Sequence, residues 1–390
     1  MYQIKLKMKR FLFPFGMLVV LIGMNFSLNS CNSTSSTTLP GGWDKIGDFA
    51  GIPRDGAVSF VIDNIAYVGL GYNYASNSFL QDFYRYEPNS DSWYPVTDFP
   101  GAARSGAVAF TLNGKGYVGT GYNIVNGSTN PLSDFYQYDP AANTWTKIAD
   151  FGFPIAKATV AARYGAAAFT VKNRAFVGWG EDINQFDYKD LWEYDAVNNV
   201  WNQVPDTGSK RVYPFVFVID DIAYVGGGFD PAGGNSYPAV FNRFDVTKLS
   251  ADGTTGNPWS RMNDLSGKDK NGNGITQPAR RYQAATFSIN HFGYLTMGSA
   301  GNGDTWQYTP PVLDANGNIT SGDTWLQYFS ITTNVPTYGA NRVLPVGFTV
   351  TLTTKTGTKE VGILTTGGSG NSKFDDCWLF DPTIVEPDYK

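Results

Sequence analysis

The chain of 390 residues has only two cysteines and one histidine. That leaves no disulfide framework and no His/Cys metal cluster. Charge is also scarce: Asp, Glu, Lys and Arg make up 16% of the residues, and only five of them are Glu (Glu87, Glu181, Glu193, Glu360, Glu386). A net charge of −5 excludes a generally basic nucleic-acid binder. No long stripe of helix-forming residues occurs, which argues against stacked α/β units. What the chain does have is 44 glycines and 15% aromatic residues. Glycine-rich, aromatic-rich and charge-poor composition reads as all-β with many turns, and it is too apolar for disorder.

At the N-terminus, Lys5, Lys7, Lys9 and Arg10 precede an apolar run from Phe11 to Met24. The run is short for a membrane span of about 20 residues and fits a secretory signal. It ends in Leu28-Asn29-Ser30-Cys31, followed by a Ser/Thr-rich stretch. These residues resemble a bacterial lipoprotein signal, with Asn29 a mild departure from its small-residue preference. The resemblance implies a signal peptide over 1–30, acylation at Cys31, a tether over 31–41 and membrane attachment in the cell envelope, periplasmic or at the outer-membrane surface. A plain secreted protein with a chance cysteine is the alternative.

From residue 42 onward one unit recurs. Trp43, Trp93, Trp145, Trp201, Trp259 and Trp325 are spaced 50, 52, 56, 58 and 66 residues apart. Between them comes an Arg-led apolar strand (Arg54 to Phe60, Arg104 to Phe110, Arg163 to Phe169). A strand ending in Gly follows (Tyr67 to Gly71, Tyr117 to Gly121, Phe176 to Gly180), and then an Asp-led strand (Asp82, Asp134, Asp190). Looser copies begin at Arg211, Arg281 and Arg342. A period near 50 residues holding four short strands is the signature of propeller blades. The phrase resembles the kelch repeat, in which a Tyr precedes a Trp by seven residues, as Tyr86, Tyr138 and Tyr194 do here. The resemblance implies an all-β, six-bladed kelch propeller over 42–386, with a short tail over 387–390. The sixth copy has no Trp after it, so the N-terminal strand around Trp43 is expected to close the last blade.

The alternation of strands puts the Arg residues, the Gly clusters and the Asp residues at one end of every blade. Long loops (Tyr72–Gln81, Tyr122–Ser133, Glu181–Lys189, Phe229–Ala239) join strands two and three at that end, where scaffolds commonly carry binding residues. If strand one is innermost, Arg54, Arg104, Arg163, Arg211, Arg281 and Arg342 ring the channel mouth and suit a carboxylate or phosphate. The alternative is structural: each Arg pairs with the Asp of its own blade (Asp82, Asp134, Asp190, Asp304, Asp376). Val240 stands where the fourth blade needs that Asp, which makes Arg211 the foremost ligand contact unless Asp230 supplies the counter-charge. Tyr72, Tyr122, Trp179 and Phe229 follow the Gly clusters and offer a sugar-stacking floor, or merely pack between loops.

Kelch propellers include copper-radical oxidases of the galactose oxidase kind, which need two His, two Tyr and a cross-linked Cys. His291 is the sole histidine and Cys377 lies within a strand, so that chemistry is excluded. The family also includes six-bladed mutarotases acting on sialic acid, and there Glu181 would be the acid–base candidate; a solvated loop acid is the plain alternative. The Asp269 and Asp314 loops resemble half a calcium loop but lack its final Glu, so ordinary Asn-Gly turns or weak cation binding are expected. No cofactor and no metal site are expected. The reading is a lipid-anchored, monomeric binding protein that recognises a carbohydrate or carboxylate-bearing ligand at the Arg-lined face, its partner a small anionic sugar, a glycan or a protein; a mutarotase or epimerase acting on an anionic sugar such as sialic acid, or a protein–protein interaction platform, is the alternative.

Overall fold

A computed structural model describes residues 39–384, apart from 153–161, 232, 235, 270, 302 and 332–340. The expected signal peptide over 1–30, Cys31 and the tail over 387–390 lie outside the described residues. In the first repeat, Val58–Ile62 alternates buried and half-buried positions, as a strand with one face inward requires. Asp63 and Asn64 then turn the chain with φ of 50° and 66°, the paired positive values of a tight type I′ hairpin. Ile65–Gly69 returns almost wholly buried, and Phe83–Glu87 and Ser92–Val96 complete an antiparallel sheet. The pattern repeats to give six four-stranded sheets.

The first strands of successive blades pack against one another, and the sixth packs against the first, so the sheets close into a ring. Closure is completed by Gly42–Ile46, which pairs antiparallel with Cys377–Asp381 and sets Trp43 opposite Phe380. That pairing covers what would otherwise be an exposed sheet edge. Gly42 pairs with Asp381 and Ile46 with Cys377, so the chain enters the propeller at the end opposite the Gly clusters.

Between blades the core is aromatic. Phe60 stacks on Tyr67 within blade one at 5.0 Å, and that pair meets Tyr138 of blade two at 6.1 and 5.3 Å. Small residues on the second strands admit the preceding blade's Phe: a Cβ on Gly116 would overlap Phe60, and one on Gly362 would overlap Phe287. Burying such a ring contributes about 1.5–3 kcal/mol, and this stacking sets blade spacing without any inter-sheet hydrogen-bond ladder.

The segments expected as long loops are more ordered than that. Tyr72–Asn73 pairs with Ser78–Phe79, and Tyr122–Val125 with Ser128–Pro131, as small hairpins standing on the Gly-cluster end. Blades three and four hold single bridges there, Glu181 to Asp187 and Asp230 to Ser236. In the Asp269 loop the carboxylate accepts the Asn271 and Asn273 N–H groups at 2.8 and 2.9 Å. Asp314 does the same with Asn316 and Asn318 at 2.9 and 2.8 Å. These are ordinary Asx turns, and no group of three metal-ligating side chains occurs among the described residues.

Candidate functional site

The six arginines do not line an open mouth: each is fully buried. Arg54 grips Asp82 at 2.5 and 2.7 Å, and Arg104 grips Asp134 at 2.6 and 2.8 Å. Arg163–Asp190, Arg281–Asp304 and Arg342–Asp376 are equally bidentate. Each Nη1 also donates to a carbonyl at the end of the second strand, such as Leu70 at 3.2 Å or Thr120 at 3.0 Å. Aromatic rings lie against four of the guanidinium groups: Phe49 at 5.0 Å, Phe99 at 4.8 Å, Phe151 at 4.7 Å and Phe374 at 4.2 Å. These are structural clasps within blades, so the expected guanidinium ring is corrected to five internal ion pairs and one odd arginine.

That odd one is Arg211. Its Nη1 donates to Gly227 O at 3.1 Å and Val240 O at 3.4 Å. Its Nε and Nη2 have no hydrogen-bond partner among the described residues. Asp230 acts on it only through space, since that carboxylate takes the Gly233 N–H at 2.6 Å. Burial, with Arg261 nearby, pushes the Arg211 pKa down to about 10.

The mouth of the axis is ringed by backbone. Two residues after each Arg stand Gly56, Gly106, Gly165, Tyr213, Gln283 and Leu344, all with φ between 50° and 64°. Their N–H groups each donate to the carbonyl of the next such residue around the axis: Gly106 to Gly56 at 3.1 Å, Gly165 to Gly106 at 3.0 Å, Tyr213 to Gly165, Gln283 to Tyr213, Leu344 to Gln283 and Gly56 to Leu344. The result is a closed ring of hydrogen bonds joining all six blades. The Tyr213 ring leans over Gly165 and its hydroxyl reaches Gly106. A cavity of about 120 Å³, lined by Gly56, Gly106, Ala166, Tyr213 and Gln283 among others, lies on the axis at this ring.

Around the axis the Gly-cluster face is aromatic. Ring centroids step from Tyr72 to Phe79 at 4.9 Å, to Tyr122 at 5.6 Å, to Tyr164 at 5.0 Å and to Tyr213 at 6.3 Å. Phe229, Tyr237 and Tyr282 form a second cluster with centroids 5.3–5.9 Å apart. Between the two accessory hairpins lies a groove of about 370 Å³, lined by Tyr72, Asn77, Phe79, Tyr122 and Ile124. Tyr72, Tyr122 and Phe229 therefore stand on the face. Trp179 does not: it is fully buried, edge-on to Trp259 at 6.1 Å. It precedes Gly180 as Leu70 precedes Gly71, so the residue matching Tyr72 in blade three is Glu181.

Glu181 is nearly buried, and its carboxylate accepts the Tyr164 hydroxyl. Burial first, then that carboxylate, raises the Tyr164 pKa, so the phenol remains a donor at neutral pH. Asp182 is committed to its loop, accepting from Tyr188 Oη at 2.8 Å and from the Asn184 N–H at 2.8 Å. Among the cations of this face, Lys373 is held by Asp55 at 2.6 Å, Lys210 lies over the Phe186 ring at 3.8 Å and Arg280 donates to Tyr237 O at 3.0 Å.

Several of these residues escaped sequence reasoning. Asp55, Tyr164 and Tyr282 each follow a repeat Arg directly, a position whose register was available. Phe49, Phe99 and Phe151 each follow a repeat Trp by six residues, another signal that was legible. His291 is exposed beside Asp220 at 2.8 Å, and Cys377 is fully buried.

Comparison with known proteins agrees with this architecture. Residues 43–228 match the KLHDC2/KLHL20/DRC7 kelch-repeats domain. A stretch of 57 residues is 42% identical to N-acetylneuraminate epimerase of Yersinia enterocolitica serotype O:8 / biotype 1B, strain NCTC 13174 / 8081. That stretch covers 13% of this chain and 14% of the epimerase, so the chain aligns with a small part of that relative. The solved structure of YjhT superposes with a TM-score of 0.60 at 16% identity, covering 88% of this chain and 98% of that one, a likeness of fold.

Proposed function

The chain is a kelch-repeat protein folded as a six-bladed propeller, and on that premise we propose that its Gly-cluster face binds carbohydrate, in a protein anchored to the cell envelope through Cys31. The observation that carries this reading is the run of half-buried rings from Tyr72 to Tyr164 along a groove that also offers the Asn77 amide. Apolar ring faces with a few fixed polar groups suit the faces and hydroxyl edges of a sugar. Five of the arginines are neutralised within their blades and Lys373 is held by Asp55, and among the described residues the groove itself is lined by no charged residue, so it favours a neutral glycan over an anionic one. The anchor rests on the lipoprotein-like sequence at Cys31, and the entry of the chain at Gly42 is on the far end from this groove.

Isothermal titration against neutral and acidic oligosaccharides tests the reading. A neutral oligosaccharide should bind, and Tyr122→Ala should weaken it about tenfold, the loss of one stacking contact worth about 1–1.5 kcal/mol. Binding by no neutral oligosaccharide, or affinity unchanged in Tyr122→Ala, would overturn it.

The Glu181–Tyr164 pair favours a second reading, acid–base exchange at a sugar's anomeric centre, toward which the short match to N-acetylneuraminate epimerase also points. Here Glu181 would take and return the proton while Tyr164 orients its carboxylate. Anomer exchange followed by NMR, lost in Glu181→Gln with sugar binding retained, is the expected signature; no catalysed exchange by the unaltered protein rejects it.

A further inference from the structure

We propose that blade four carries a binding site for a small carboxylate anion, of formate or acetate size, held by Arg211 beside Val240. The argument begins with the other five blades. In each, a fully buried arginine meets both oxygens of a carboxylate on the first residue of the Asp-led segment. Those carboxylates are between 11% and 29% exposed, so the place they take is reached from solvent. Blade four keeps the arginine, equally buried, and keeps its bond to the carbonyl ending strand two. It has Val240 where the acid stands elsewhere, and Val240 is itself partly exposed.

Two donors of the guanidinium, Nε and Nη2, then lack a hydrogen-bond partner among the described residues. In blades one, two and five, Nε is taken by the carbonyl two residues back, as Ile52, Ala102 and Ala279 show at 2.8–2.9 Å. Burial of these donors without partners is costly. The five acids take the Nη1–Nη2 edge, where in blade four Nη2 is unpartnered and Nη1 meets Val240 O only at 3.4 Å, and a planar anion with two oxygens satisfies that edge by parallel charged hydrogen bonds. A second donor is placed to help. Trp192, Trp306 and Trp378 each donate an indole N–H to the acid two residues before them, at 2.6–2.7 Å. Asn242 stands two residues after Val240, the register position those indoles occupy, and is buried there. Asp230 does not compete, because its carboxylate is bonded within its own loop. The site is separate from the aromatic groove between blades one and two and does not depend on the glycan reading.

The test compares the unaltered protein with Val240→Asp, which builds the missing carboxylate into the chain. Formate at fivefold excess over its dissociation constant should raise the melting temperature of the unaltered protein by about 2 °C in a saturable way. Val240→Asp should melt higher than the unaltered protein without formate and gain no saturable increment from it. General salt effects act on both proteins alike, so parallel formate curves overturn the proposal. Should Val240→Asp not fold, ¹³C-formate NMR on the unaltered protein decides. Saturable broadening that is competed by acetate and lost in Arg211→Lys supports the site, and a formate signal unaffected by protein rejects it.

Discussion

Asp134→Val converts blade two into a copy of blade four, and its cost follows from the clasp it breaks. Arg104 is fully buried and makes four hydrogen bonds: two to Asp134 at 2.6 and 2.8 Å, one to Thr120 O at 3.0 Å and one to Ala102 O at 2.8 Å. The substitution removes the first two and leaves a buried cation without its counter-charge. Removing one partner of a buried pair costs about 3–5 kcal/mol. The Asp134 side chain is 22% exposed, so solvent screens part of that, and about 2–4 kcal/mol remains. Urea unfolding should show the midpoint fall with an unchanged slope, and the melting temperature should drop by about 4–8 °C. The double variant Arg104→Met/Asp134→Val should recover most of the loss, because replacing both charges by apolar groups removes the stranded cation. A single-variant loss below about 1 kcal/mol would refute the reasoning, as would a double variant no more stable than the single one.

Alkaline stability should fall through a defined window. Burial holds Tyr138 and Tyr224 up to about 12, and raises Tyr86, Tyr164, Tyr194 and Tyr294 as well. A raised folded pKa contributes stability that is fully present below the unfolded value near 10 and is lost as pH climbs through about 12. Arg211, lowered to about 10, runs the opposite way but is a single group. Urea midpoints should therefore decline between pH 10 and 12, and a flat profile there would be contrary. Burial likewise pushes the Cys377 thiol up to about 12, so in a Cys31→Ser chain it should react with a thiol reagent at pH 8 only after unfolding. At the axis, Tyr213 has φ of 50°, so Tyr213→Gly should be more stable than Tyr213→Ala by about 1 kcal/mol, the reverse of the usual order. Thermal denaturation of the pair checks it, and Ala equal to or above Gly contradicts the strained-ring argument.

The sequence made the propeller, its closure by Trp43 and the pairing partners of the arginines readable, because each rests on residues repeated in register. The Arg54–Asp82 pair, for instance, recurs in five blades at the same place in the repeat, at separations from 23 to 34 residues, and Val240 broke that pattern visibly. Reading failed where one residue of offset mattered. Trp179 was grouped with Tyr72 because both adjoin a Gly cluster, yet it sits before the final Gly and points into the core. Glu181 then became an isolated loop acid when it is the blade-three counterpart of Tyr72 and Tyr122. The hydrogen-bonded ring through Gly56 to Leu344 could not be read at all. It joins residues tens of positions apart through backbone groups, and three of its six members are not the glycines that a positive φ would advertise.

Those three exceptions explain why the face is lopsided. Gly56, Gly106 and Gly165 put bare backbone at the axis on the side of blades one to three, whereas Tyr213, Gln283 and Leu344 put side chains there on the other side. A non-glycine residue in this conformation costs about 1–2 kcal/mol, and each is held in it by a ring hydrogen bond that its neighbour needs. Tyr213 uses the space the glycines leave, lying over Gly165 and reaching Gly106, and so continues the aromatic run from Tyr164 across the axis. A symmetric ring of six glycines would have left a central opening, fit for a small molecule bound on the axis. With three glycines and one tyrosine in the ring, the axis keeps only a cavity of about 120 Å³, and the larger groove of about 370 Å³ lies away from it at Tyr72 and Tyr122. On the glycan reading proposed above, an off-axis floor of that kind would meet an elongated ligand along its length rather than hold a single sugar in a central well.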